Sequence, residues 1–153
     1  MKNLSIYEEK GIRTQKKLFY KIVDLICSEL DLNILSLEIN FVLSETMLRI
    51  NKKYLKHNYS TDIITFDYSD ERNILDGEIF ISITDALQNS KKYRVTLNNE
   101  ILRLIIHGIL HMSGYDDKTI FKRKKMKIVE DMFVRKLKKL SKGLVKKHDG
   151  KNC

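Results

Sequence analysis

The sequence predicts an α+β fold, a small mixed sheet of about four strands packed by about five helices, one of them a zincin-like metal helix. Three observations carry this. Short alternating or β-branched runs at residues 37–43, 62–66 and 77–82 are interleaved with amphipathic helical stretches. The chain has 153 residues, 42% hydrophobic and 32% charged, which suits one soluble domain with a real core. His107 and His111 stand four residues apart inside an apolar run, so on a helix they share one face.

In order, Leu4 and Ile6 alternate in a short first strand. Residues 14–30 form an amphipathic helix with Leu18, Ile22, Val23, Leu25, Ile26 and Leu30 on its apolar stripe. Residues 37–43 alternate as a strand, and Ser44 caps a helix through about Tyr54. Residues 62–66 and 77–82 are the next two strands, joined by a turn-rich loop. Thr84 or Asp85 caps a helix through about Tyr93, and Asn98 or Asn99 caps the histidine helix. A last helix spans about 118–140, with Phe121, Ile128, Met132, Phe133, Leu137 and Leu140 as its buried stripe. The domain is expected to cover 1–140, leaving 141–153 as a basic, flexible tail.

Composition excludes several classes. No apolar run reaches the ~20 residues of a membrane span, and the N-terminal segment lacks a signal peptide's apolar core. Cys27 and Cys153 make no disulfide framework, so a cytoplasmic protein is expected. The net charge is +9, unevenly placed. Residues 118–153 hold 14 Lys and Arg against 3 Asp and Glu, a net of +11, and residues 1–117 carry a net of −2. Such asymmetry points to a polyanionic partner. Beside a hydrolytic site, RNA is the partner expected.

The stretch ILRLIIHGILHMSGYDD, residues 101–117, carries the chemistry. Two imidazoles at i and i+4 can hold one metal ion, and a catalytic centre adds about one further protein ligand and an open position for water. Gly114 can end the helix in a left-handed turn, after which Asp117 is available as third ligand. Asp117 also stands where an N-cap of the next helix would. Asp116 is either the alternative ligand or the partner of a histidine N–H. A metalloprotease places Glu directly after the first histidine, whereas this chain has Gly108, which argues against peptide hydrolysis by that route.

HGILHMSGYDD resembles the HGxLHLxGYDH signature of the YbeY family, bacterial metal-dependent endoribonucleases of rRNA maturation. The likeness extends to TDIITF at 61–66, similar to the family's TDVLSF, and to GEIFIS at 77–82, similar to its GDIxIS strand. Met126 and Glu130 also stand where the family's last helix often has Met and Glu. The resemblance implies a mixed sheet, His107 and His111 as catalytic metal ligands, and one divalent ion, zinc foremost. It implies no small-molecule organic cofactor and no membrane. It further implies single-strand-specific cleavage near the 3′ end of the small-subunit rRNA, a place in ribosome quality control, and partners in rRNA and the small ribosomal subunit.

Two departures qualify this. Asp117 stands where the family has a third histidine, a harder and anionic ligand. Tyr54 is followed by Leu55 where the family often has Arg. Arg49, Lys56 and the basic run Lys122, Arg123, Lys124 and Lys125 are the candidates to hold RNA phosphates in its place. The competing reading is a non-catalytic basic ribosome-assembly factor whose metal site is structural or lost.

Overall fold

The computed structural model describes residues 3–147. Four strands form the main sheet: β1 (Leu4–Glu8), β3 (Asn33–Val42), β5 (Ile74–Ser82) and β4 (Ile63–Asp67), in that spatial order. β1 pairs parallel to β3 and β3 parallel to β5, while β4 closes the edge antiparallel to β5. The helices are α1 (Lys16–Leu30), α2 (Ser44–Ile50), α3 (Ile83–Tyr93), α4 (Leu97–Met112) and α5 (Ile120–Leu137). The mixed sheet and five helices are those the sequence predicts. A second sheet is not: β2 (Arg13–Thr14) pairs antiparallel with β6 (Val145–Lys147).

Side-chain alternation splits the sheet into two faces. Leu37, Ile39, Phe41, Leu75, Ile79 and Ile81 point into the main core, which α1, α4 and α5 complete. Val42 and Ile64 point the other way and pack with Met47 of α2. α4 fits close against the main face because position 108 has no side chain. A Cβ on Gly108 would lie 3.1 Å from Ile79 Cδ1 and 3.2 Å from Ile63 Cδ1.

Several boundaries move for physical reasons. α3 is capped by Ser82, whose Oγ accepts from the Asp85 N–H, rather than by Thr84 or Asp85. α4 is capped by Thr96, whose Oγ1 accepts from the Asn99 N–H. Asn98 is used elsewhere: its Oδ1 accepts from the Val145 N–H at 3.0 Å. α2 continues past Ile50 as a π-helical turn through Asn51–Leu55, so the predicted end near Tyr54 holds with altered geometry.

Two expectations are corrected. Residues 141–147 are not a structureless tail: Leu144 is fully buried, Gln15 N–H donates to its carbonyl, and β6 follows. The pattern of lysines hid one apolar anchor. The rest of that predicted tail, 148–153, lies outside the described residues. The stripe assigned to α5 holds at Phe133 and Leu137 but fails at Phe121, Ile128 and Met132. Its buried face is Met126, Glu130, Phe133 and Leu137, whereas Phe121 and Ile128 are 77% and 69% exposed. Glu130, a carboxylate, sets that face, and hydrophobic periodicity cannot register it.

Candidate metal centre and its cleft

α4 is apolar on nearly every side, yet Glu100, Arg103, His107 and His111 recur at i, i+3, i+7 and i+11. That spacing is one continuous polar stripe. α5 packs along it and contributes Glu130. Arg103 grips Glu100 with two bonds, Nε to Oε1 at 3.0 Å and Nη2 to Oε2 at 2.7 Å. Its Nη1 donates to Glu130 Oε2 at 3.3 Å. The other Glu130 oxygen meets His107 Nδ1 at 2.7 Å.

Glu130 is only 3% exposed, so its charge needs these partners. Burial pushes its carboxyl up, but the bond and charge of His107, with Arg103 beside it, outweigh that and hold it below the usual carboxylate range. The ionised Glu130 accepts a hydrogen bond from Nδ1–H, so Nε2 is the ring nitrogen left to face a ligand. The Arg103 guanidinium is driven higher still, chiefly by its hydrogen bond to Glu100. Arg103 and Glu130 carry the site's internal order, and the sequence reading gave neither that part. The stripe spacing from Glu100 to His111 was the signal available.

α4 ends as the glycine predicts. Gly114 takes φ +106°, its N–H donates to the His111 carbonyl, and the Tyr115 N–H donates to the Leu110 carbonyl. This pair of bonds is the Schellman termination. The turn brings the Tyr115 carbonyl to 3.3 Å from His111 Nδ1. Both histidines therefore have Nδ1 occupied, the arrangement that presents Nε2 to a metal.

The two aspartates separate. Asp116 Oδ1 accepts from the Lys118 N–H at 3.0 Å, and Oδ2 faces Lys122 Nζ at 3.4 Å. These contacts hold its carboxyl below the usual range, the Lys118 bond foremost. Asp116 is thus tied to α5 rather than to a histidine. Asp117 is not an N-cap, because Thr119 caps α5 through the Lys122 N–H. Its exposed carboxylate makes no hydrogen bond among the described residues, and it lines one cleft together with His107.

That cleft, about 530 Å³, lies between α4, the α3–α4 corner and α5. Arg123 and Lys127 stand along it, and Arg123 Nη2 reaches the Asp117 carbonyl at 3.3 Å. Across the Gly114 turn a second hollow of about 300 Å³ gathers Arg72, Lys122 and Lys125. Lys124 is exposed on α5. Arg49 and Lys56 lie on and just after α2, across the sheet, and line neither hollow.

The donor set suits a divalent ion in part. Two imidazoles with free Nε2 atoms fit, and Asp117 shares the cleft, but among the described residues no three such side chains converge on one point. Position 108 faces the sheet, so a general base could not act from there.

A four-stranded mixed sheet carrying a histidine-bearing helix beside a cleft lined by both cations and carboxylates defines a small α+β protein with a charged surface site. The family model for endoribonuclease YbeY matches residues 3–138. The endoribonuclease YbeY of Karelsulcia muelleri is 44% identical over 104 residues, 67% of this chain and 73% of that protein. That of Cytophaga hutchinsonii is 40% identical over 97 residues, 62% of this chain and 68% of that protein. The chain belongs to the endoribonuclease YbeY family. The solution structure of TM1509 from Thermotoga maritima shares the fold, with a TM-score of 0.68, 22% identity and 88% of each chain covered.

Proposed function

We propose that this chain is a metal-dependent endoribonuclease that cuts single-stranded rRNA, maturing the 3′ end of the small-subunit rRNA and serving ribosome quality control in the cytoplasm. Its partners are rRNA and the small ribosomal subunit. One observation carries the reading: in a member of this family, His107 and Asp117 line a single cleft beside Arg123, one helical turn from His111.

His107, His111 and Asp117 would hold one divalent ion, with zinc foremost given two imidazoles and a carboxylate. Such an ion supplies a water acidic enough to ionise near neutral pH and relieves charge on a phosphoryl oxygen. The protein's part is orientation. Glu130 fixes the tautomer and ring plane of His107, the Tyr115 carbonyl does the same for His111, and Arg103 holds Glu130. Arg123 and Lys127 hold the scissile strand's phosphates along the cleft, with Arg72, Lys122 and Lys125 extending the track across the turn. No helix among the described residues is long and apolar enough to cross a membrane.

The test is cleavage of precursor small-subunit rRNA by metal-loaded protein. The reading predicts defined cuts that are lost in His107→Ala; unchanged cutting by that variant would sink it. The non-catalytic assembly factor is favoured by one observation: among the described residues no three ligand side chains converge on one point. It predicts salt-sensitive ribosome binding with no cleavage under any divalent ion.

A further inference from the structure

The cleft beside His107 is built in two layers, and they suit different chemistry. Its rim carries the cations Arg123 and Lys127. Its body is predominantly apolar, formed by Tyr93, Val95, Met126 and Val134. A groove that tracks only phosphates has no use for such a surface. Its inner wall is Glu100, Arg103 and Glu130, two buried carboxylates sharing one guanidinium. Two carboxylates against one guanidinium give that wall a net negative charge, which repels a phosphate. An anion therefore stays at the rim, and a neutral planar group goes in.

Tyr93 and Val95 are well placed to receive one. α3 ends in the left-handed residue Arg94, φ 58°, and this sharp corner turns both neighbours toward the cleft. Tyr93 is 57% exposed and Val95 41% exposed, so both offer apolar surface to a ligand in the cleft. Lys92 Nζ lies over one face of the Tyr93 ring, 5.5 Å from its centroid, so a base would use the other face. A volume of about 530 Å³ is in the range of small-ligand pockets and admits one nucleobase with its ribose.

Resting on the endoribonuclease reading, we infer that this cleft takes one unstacked nucleobase of the RNA strand, stacked on Tyr93 and bedded on Val95, Met126 and Val134. The adjoining phosphates lie on Arg123 and Lys127. The base must leave its stack to enter, so the pocket makes the enzyme read single strands: a paired base is unavailable to it. The inference assigns Tyr93, which lies outside the histidine motif, a role in substrate binding.

The experiment is fluorescence anisotropy of the full chain with a labelled single-stranded RNA octamer, in a chelator so that binding is read without cutting. The same octamer is then used with one abasic ribose at each position in turn. The inference predicts that one abasic position weakens wild-type binding roughly tenfold, the scale of a lost base–aromatic stack. Tyr93→Ala should weaken the intact octamer by a similar factor and lose nothing more when that base is absent. A second surface variant, Val95→Trp, fills the mouth and should mimic Tyr93→Ala. Equal affinity for all abasic octamers overturns the base pocket. So does a Tyr93→Ala loss of the same size on the intact and abasic strands, or no loss at all. Failure of the wild type to bind any octamer is a separate result, and it overturns the RNA-binding reading together with the pocket.

Discussion

Glu130 of α5 meets Nδ1 of His107 on α4 at 2.7 Å, and its other oxygen is held by Arg103. This contact joins the two helices that form the cleft and fixes which nitrogen of His107 faces it. Removing the carboxylate therefore has two separable effects. Glu130→Ala leaves Arg103 half-compensated and should destabilise the fold by about 3–5 kcal/mol, the usual cost of breaking a buried pair. Glu130→Gln keeps an acceptor for the imidazole and should fold better, yet weaken zinc binding by roughly 10–100-fold. Urea unfolding and competition with a chromophoric chelator read the two effects independently.

Gly108 marks where α4 touches the sheet. A Cβ there meets the Ile79 and Ile63 side chains at 3.1 and 3.2 Å, so a β-branched residue has no room. Gly108→Val should lower stability by about 1–3 kcal/mol, as overpacking does. Chemical denaturation measures it, and unchanged stability would mean the helix does not sit this close.

Leu144 secures the last described segment. It is fully buried, and Asn98 and Gln15 bond the backbone on either side of it. Leu144→Ala should cost about 2–5 kcal/mol, the range for a large-to-small core change. A loss within error of zero would restore the simple picture of a loose basic tail.

Cys27 gives the pH prediction. Burial, reinforced by the charge of Asp24, pushes its thiol from an ordinary 9.0 up to about 11. The protonated thiol is thus favoured in the folded state. Its contribution is fully present below pH 9 and is lost as pH rises toward about 11, because the unfolded chain ionises first. Cys27→Ala should flatten the alkaline limb of the stability curve. An unaltered limb would show that other groups set it.

Much of the fold was legible because its elements are strongly periodic. The strands at 37–43, 62–66 and 77–82 and the helix holding His107 stand close to where alternation and capping residues place them. The failures share a cause. Asn98 looks like a cap but bonds Val145, and Thr96 caps instead. The α5 stripe was misread because a buried carboxylate, Glu130, lies at its centre, and a long-range charge partner leaves no periodic trace. Leu144 is a single apolar residue among lysines, and only its distant contacts show it to be core. The site divides along the same line. Spacing and a glycine turn gave His107, His111 and the turn to Asp117. Arg103 and Glu130 came only with the packing of α5 on α4.

The most direct test of the metal centre is elemental analysis of purified protein, wild type beside Asp117→Ala, after loading with zinc and desalting. The account predicts one divalent ion per chain in the wild type, and a stoichiometry that falls well below one in the variant. A wild type that retains no divalent ion under any loading, or a variant that retains a full equivalent, would contradict a centre built from His107, His111 and Asp117.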